Sequence, residues 1–460
     1  MLGDIFKAYD IRGIYPETVD EAVSRRIGYG VGRFLLEQAP GGDGRVLVGR
    51  DMRRSSAPLA VALVEGLNAA GVAVVDVGMC DTSMIYFAVN HLGTIGGVMV
   101  TASHNPPKYN GYKISGAEAK PIGSQSGLET IRTYAETPAA AAAATPTARI
   151  ETVDLWDAYR CHIHQFLSPL KRPLRVFVDA SNGMAGELVP RVFRGVEGLT
   201  ILDLNFEITG SFVHEPNPLV PENMVPTQEG VRQHEADLGV CFDGDADRCM
   251  VVDDLGATIG CDHLTALLAD HFVKQEPGAK IFYDLRSSRV VKQVVEQAGG
   301  QARRSRVGHV FMKAAMREAD GLFGGELSGH FYFRNNFYAD SGAITFAVVL
   351  SVLSNANESL AKLVTPYRAF PQSGEINFEV ADKVAVMNTL KQRYADEAEV
   401  DELDGVTVDA FEQHGFWFNV RASNTEPLLR LNAEARDEST LRRLLAALTP
   451  ELGTPASSGH

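Results

Sequence analysis

Asp243-Gly244-Asp245-Ala246-Asp247-Arg248 follows a short apolar run, Leu238-Gly239-Val240-Cys241-Phe242, that reads as a buried strand. Three carboxylates at alternate positions on a Gly-containing loop repel one another unless a cation sits among them. Oxygen-only ligation suits a hard ion, above all Mg²⁺. An EF-hand loop also opens D-x-D-x-D, but it needs Gly at its sixth position and a bidentate Glu at its twelfth. Counted from Asp243, those places hold Arg248 and Asp254, so that reading fails. A solvated acidic turn is the plain alternative. It does not explain why an apolar strand feeds three aspartates.

Upstream, the pattern predicts strands over 45–49, 72–77 and 97–101, alternating with helices over 21–38, 56–70 and 83–90. That rhythm means an α/β domain with a largely parallel sheet. Gly28-x-Gly30-x-Gly32 has no strand before it, so it marks close helix packing and not a dinucleotide loop. Residues 135–149, rich in Ala, Thr and Pro, read as a surface connection and domain boundary. A second unit has a helix over 153–166, strands over 174–179 and 199–204, a turn at Ser181–Gly186 entering a helix, and then the Asp loop. A third has helices over 260–274 and 287–298 around a strand at 280–284, a loop about Gly308-His309, short strands over 322–324 and 329–333, and a buried helix over 343–353. After 366–371 a strand, a helix, three strands (406–411, 415–421, 428–435) and a last helix suggest a small α+β domain. The tail 454–460 is expected to be disordered. The expected domains are 1–148, 149–254, 255–366 and 367–460.

The 460 residues are too many for one core, and two to four domains are expected. A net charge of −15 argues against nucleic acid or an anionic membrane as partner. The longest membrane candidate, 343–353, falls well short of the roughly 20 residues a span requires. Met1-Leu2-Gly3-Asp4 lacks the form of a signal peptide. Cys80, Cys161, Cys241, Cys249 and Cys261 are odd in number and form no C-x-x-C pair. Free thiols and a cytoplasmic location are expected.

Three further loops carry chemistry. Thr101-Ala102-Ser103-His104-Asn105-Pro106-Pro107 leaves a strand end, where ligands gather in α/β sheets, and tandem prolines fix its shape. Ser103 is a candidate nucleophile or phosphate carrier. Gly324-Gly325-Glu326-Leu327-Ser328-Gly329-His330 presents acceptors and donors suited to polyol hydroxyls. Arg421-Ala422-Ser423-Asn424-Thr425-Glu426-Pro427 suits a phosphate. Each alone also reads as an ordinary turn.

Together with Tyr9-Asp10-Ile11-Arg12-Gly13, these loops in this order resemble the α-D-phosphohexomutases, most of all their phosphomannomutase/phosphoglucomutase branch, over nearly the whole chain. The resemblance implies an α/β fold class with four domains around a central cleft: three related α/β domains with mixed sheets plus a C-terminal α+β domain. It implies an intramolecular phosphotransferase that interconverts hexose 6-phosphate and hexose 1-phosphate (mannose and/or glucose) through a phosphoserine enzyme. It also implies one Mg²⁺ per chain, and hexose 1,6-bisphosphate as intermediate and activator. Ser103 would carry the phosphoryl group and complete the metal shell of Asp243, Asp245 and Asp247, with Arg248 positioning the phosphoryl group. Arg12, Lys113 and His309 would join the catalytic set, Lys113 and His309 for proton transfer. Glu326 and Ser328 would grip the sugar's 3- and 4-hydroxyls with His330 nearby. Tyr9 and Arg286 would line the substrate site, and Arg421, Ser423, Asn424 and Thr425 would hold the phosphate that is not reacting. Ala246 stands where many relatives have Gly, and Leu327 where many have Met. The implied partners are phosphorylated hexoses, with the chain a monomer or weak dimer and neither nucleic acid nor membrane involved. The rivals are a phosphoglucosamine mutase, an aspartyl-phosphate phosphatase or mutase acting through Asp243, and a non-catalytic sugar-phosphate binding protein.

Overall fold

The computed structural model describes residues 2–141, 150–423 and 428–456. The chain forms two compact units: residues 1–259, 316–323 and 328–363 in the first, 260–315, 324–327 and 364–460 in the second.

In the first unit, β1 (Ile11–Ile14), α1 (Glu21–Gln38), β2 (Arg45–Arg50), α2 (Ser56–Ala69), β3 (Ala73–Met79), α3 (Thr82–Leu92), β4 (Gly96–Val100), β5 (Tyr109–Gly116) and β6 (Ile150–Thr152) follow the chain. The sheet order is β1-β5-β4-β2-β3-β6. β2 is parallel to β3 and β4, but β5 runs antiparallel to β4 and to β1. The sheet is therefore mixed, as the family resemblance implies, where the strand–helix rhythm alone suggests a largely parallel one. The return strand decides this: Tyr112 and Ile114 are buried on either side of half-buried Lys113. α1 packs through glycine against α2 and against the helix Glu129–Ala135, as the spacing predicts. A Cβ at Gly28 would lie 2.1 Å from the Leu63 carbonyl oxygen, and one at Gly30 would lie 2.4 Å from that of Ile131. The short helix Pro138–Ala141 falls inside the expected connection, and 142–149 lie outside the described residues.

The second sheet, ordered β10-β9-β7-β8, holds β7 (Leu174–Asp179), β8 (Leu199–Leu204), β9 (Leu238–Phe242) and β10 (Cys249–Val252). β8 and β9 run parallel to β7, and β10 returns antiparallel to β9. A helix at Pro221–His234, which the apolar pattern does not signal, precedes β9. It starts with Pro at its first turn, where a missing N–H costs nothing, but it also carries Pro226 and Gly230, which read as breakers. Helix Gly342–Asn355 is buried nearly all round, and Phe346 meets Phe193 and Phe242 at ring-centre distances of 4.8 and 6.1 Å.

In the second unit, helices Cys261–Gln275 and Val290–Gln297 accompany the parallel pair β11 (Lys280–Asp284) and β12 (Gln301–Ser305). The loop expected about Gly308-His309 ends at Gly308, with φ +123°, and a helix starts at His309. The chain changes unit within β13 (Phe323–Gly325). Back in the first unit, β14 (Phe331–Phe333) pairs antiparallel with β15 (Ala339–Asp340). The last sheet is antiparallel throughout, ordered β17-β18-β19-β20-β16-β21. Its strands are β16 (Gln372–Glu379), β17 (Glu399–Asp401), β18 (Val406–Ala410), β19 (Phe416–Ala422), β20 (Leu428–Ala435) and β21 (Thr454–Pro455). Helices Lys383–Tyr394 and Glu438–Leu452 bury Leu390, Leu444 and Leu448 against Phe418, Leu429 and Leu431. The tail, expected to be disordered from 454 on, is paired at its start: Thr454-Pro455 pairs with Phe378-Glu379, and 457–460 lie outside the described residues.

Among the described residues no single helix is long and apolar enough to cross a membrane. None of the five cysteines forms a disulfide.

Candidate active site

Both chemical loops of the first unit are hairpin tips at which a parallel strand gives way to an antiparallel return. Residues 101–108 join β4 to β5, and 243–248 join β9 to β10. Ser103 Oγ donates to Asp243 Oδ2 at 2.9 Å across 140 positions of sequence. Asp243, Asp245 and Asp247 each offer an oxygen, all within 4.8 Å of one another, and all three residues are buried. Asp245 Oδ1 has no hydrogen-bond partner among the described residues. Ser103 and Ala246 both sit in the left-handed backbone region, at φ +49° and +57°. Ala246 thus occupies a conformation that suits Gly, at a cost of about 1 kcal/mol.

Cations answer this crowd of charge. Lys113, on β5, reaches Asp245 Oδ2 at 2.8 Å and Asp247 Oδ2 at 2.5 Å. Burial disfavours its charge, yet these carboxylates hold its pKa well above the ordinary value. Arg248 Nε donates to Asp243 Oδ2 at 2.9 Å, while its Nη2 is buried with no partner among the described residues. Burial pushes the Asp243 carboxyl up to about 7; Arg248 pulls it back, and Asp247 and Asp245 add to the rise. Burial opposes ionisation of Asp247 as well, but Lys113 and His330 outweigh it and hold that carboxyl well below the usual range. His330 Nε2 stands 3.5 Å from Asp247 Oδ1, and its Nδ1 lies 2.9 Å from Ser328 Oγ. Arg12, on β1, hydrogen-bonds Asn105 of the serine loop and pairs with Asp10 at 2.5 Å. Tyr9 lies in the bend before β1. Three buried carboxylates with an unanswered oxygen fit a hard divalent cation.

The second unit carries a nest of the opposite sign. Glu375 accepts from Arg421 Nη2 at 2.9 Å, Arg430 Nη1 at 3.0 Å and Arg286 Nη1 at 3.3 Å. Burial opposes its ionisation, but the three guanidiniums together hold it below the usual carboxylate range. Arg286 is also clamped by Asp284 at 2.8 Å, and Arg430 Nη2 donates to Ser423 Oγ at 3.3 Å. Arg421 Nε is buried without a partner among the described residues. Buried Glu326 accepts from Gly308 N at 2.9 Å, which sets it beside His309 at the head of its helix. Asn424 and Thr425 lie outside the described residues.

Sequence reasoning names the Asp loop and the serine loop but misses what holds them. Asp51 and Arg53, just past the carboxyl end of β2, brace the serine loop. Their signal was available: a polar cluster, Asp51–Ser56, directly after a parallel strand. Thr82 Oγ1 donates to Asp245 Oδ2 at 2.6 Å from the start of α3. Glu375 and Arg430 have no local signal, because register alone brings them together: Arg430 lies opposite Arg421 on β19 and Asn377 on β16.

Models of the phosphoglucomutase/phosphomannomutase family match the chain four times: alpha/beta/alpha domain I over residues 3–141, domain II over 157–256, domain III over 261–370 and the C-terminal domain over 375–450. The chain is 42% identical to a Xanthomonas campestris protein named phosphohexose mutases, over 95% of this chain and 96% of the relative. It is 39% identical to an Escherichia coli phosphomannomutase, again over 95% and 96%. The crystal structure of a phosphoglucomutase/phosphomannomutase family protein from Burkholderia thailandensis superposes with a TM-score of 0.87 at 34% identity, covering 98% of this chain and 99% of that one. With four domain matches in order and relatives aligned almost end to end, the chain belongs to the phosphoglucomutase/phosphomannomutase family, the phosphohexomutases, isomerase-class phosphotransferases.

Proposed function

We propose that this chain interconverts hexose 6-phosphates and hexose 1-phosphates of mannose and glucose, with Ser103 as the residue that carries the phosphoryl group between them. The observation that carries this reading is Ser103 Oγ at 2.9 Å from Asp243, inside a buried group of three carboxylates. Asp243, Asp245 and Asp247 hold Mg²⁺, which when bound offsets the negative charge of the transferring phosphoryl group. Arg248 turns its Nη2, which has no partner among the described residues, to that group, and Arg12 steadies the serine loop through Asn105. Lys113 and His309 are the two groups for proton transfer. Arg286, Arg421 and Ser423 bind the phosphate that is not reacting, continued by Asn424 and Thr425. Glu326, Ser328 and His330 bind sugar hydroxyls, and Tyr9 lines the sugar site. The bisphosphate formed in the first half-reaction must turn end over end before its other phosphate returns to Ser103. Holding the 3- and 4-hydroxyls permits both orientations and leaves carbon 2, where mannose and glucose differ, unread.

A coupled assay with mannose 1-phosphate and glucose 1-phosphate, Mg²⁺ and the matching 1,6-bisphosphates tests this. Both sugars are expected to turn over with kcat/KM within about a hundredfold of each other, about 2.7 kcal/mol. Ser103→Ala is expected to lose turnover and an acid-stable phosphoenzyme seen by intact mass. A phosphoenzyme that survives Ser103→Ala and is cleaved by hydroxylamine points to an aspartyl-phosphate at Asp243 and ends the serine reading.

A further inference from the structure

The serine loop is built on a single buried cation. Arg53 is 2% exposed, and all five of its guanidinium N–H directions are answered. Nε donates to Asp51 Oδ2 at 3.0 Å. Nη1 donates to the carbonyls of Pro106 and Tyr109 at 2.8 and 3.2 Å. Nη2 donates to those of Ser103 and Asn105 at 2.8 and 2.7 Å. Four of the five contacts thus go to one short stretch of backbone, 103–109. Asp51 extends the clamp: it accepts from Thr101 Oγ1 at 2.8 Å, and Thr101 Oγ1 in turn accepts from Ser103 N at 2.9 Å. Ser103 is therefore held at both its N–H and its carbonyl. The ring of Phe212 covers the guanidinium at 5.1 Å.

We propose that Arg53 is a positioning residue for phosphoryl transfer. It fixes the backbone of the serine loop so that the loop keeps one shape whether Ser103 carries a hydroxyl or a phosphate. The inference rests on Ser103 being the phosphate carrier. Phosphorylation changes the charge of that side chain by nearly two, and Ser103 sits in a left-handed conformation that a loose loop would abandon. Tandem prolines alone limit φ at two positions and supply no donor to the loop's carbonyls. A planar fork reaches four carbonyls at once. Lysine keeps the charge but offers its donors from a single point.

The test compares the full-length wild type with Arg53→Lys, Arg53→Ala and Ser103→Ala. Arg53→Lys is expected to lose about a hundredfold in kcat, the scale of a small misplacement of a reacting group, with KM for hexose 1-phosphate nearly unchanged. Guanidinium ion at non-denaturing concentration is expected to restore about tenfold of the activity lost in Arg53→Ala, about 1.4 kcal/mol. If Arg53→Ala does not fold, the kcat-against-KM split of Arg53→Lys decides. Near wild-type kcat in Arg53→Lys overturns the proposal, as does a loss confined to KM, or a folded Arg53→Ala that guanidinium leaves unimproved. Ser103→Ala separates the two readings. If it still turns over, the serine assignment falls. If it is dead while Arg53→Lys is normal, only the role of Arg53 falls.

Discussion

The two units carry charge nests that are near mirror images. In the first, three aspartates face Lys113 and Arg248, so the carboxylates outnumber the fixed cations by one. In the second, Arg286, Arg421 and Arg430 face Glu375 and Asp284, and one positive charge is left over. Each nest thus has unequal numbers of carboxylates and fixed cations, and each retains a buried polar atom with no hydrogen-bond partner among the described residues: Asp245 Oδ1 in the first, Arg421 Nε in the second. An uncompensated buried charge is expensive, so the sign of the surplus points to what completes the nest. It points to a cation in the first unit and an anion in the second. The nests also differ in depth. The aspartates are essentially fully buried, whereas the Glu375 side chain remains 27% exposed.

That contrast can be broken most decisively by removing the cation. Chelation is expected to lower turnover by about a thousandfold, roughly 4 kcal/mol, with Mg²⁺ restoring it. Inorganic phosphate, followed by calorimetry, should bind the chelated protein as before. Equal loss of both would show that the nests do not act separately. A smaller effect is expected from Glu375→Gln, which raises the surplus positive charge. Phosphate should then bind about fivefold more tightly, roughly 1 kcal/mol, with the gain fading in salt. Weaker binding instead would mean that Glu375 serves mainly to align the guanidiniums. The smallest effect comes from an ordinary pair with no surplus. His214 Nε2 meets Asp179 Oδ2 at 3.0 Å, a hydrogen bond that raises the His214 pKa. A raised folded-state pKa gives stability that is fully present below the unfolded value of about 6.5 and lost as pH rises through the folded value. His214→Gln should therefore lower the Tm by no more than about 2 °C near pH 5.5, and by nothing measurable near pH 9. A difference that persisted at high pH would remove the charge explanation.

How far each nest was legible follows from its wiring. The Asp loop announces itself because its three carboxylates are consecutive alternates on one turn. The strand β9 before it is an uninterrupted apolar run, the form a strand buried on both faces takes. Lys113, by contrast, came into view only through family resemblance. Its strand, β5, carries Asn110 and Gly111 right after its first residue, which weaken any strand signal, and the antiparallel return it makes cannot be told from a parallel strand by composition. The arginine nest was half visible: Arg421 leads a phosphate-like loop, while Arg430 and Glu375 reach it by register across β19, β20 and β16. The helix at His309 was hidden because Gly308 reads as a turn, although here it is the turn that starts the helix.

The wiring of the serine loop also sets an order in time. Asp51, Arg53, Ser56, Thr101 and Asn110 all fall between the start of β2 and the end of β5, so the hydrogen-bonding groups of this clamp belong to the first 116 residues. Asp243, which accepts from Ser103 Oγ, comes 140 positions later. At ribosomal rates of about 5–20 residues per second, roughly seven to thirty seconds separate the two. The serine loop can thus be cast while the Asp loop is still unmade, and the later hairpin closes onto a mould already set.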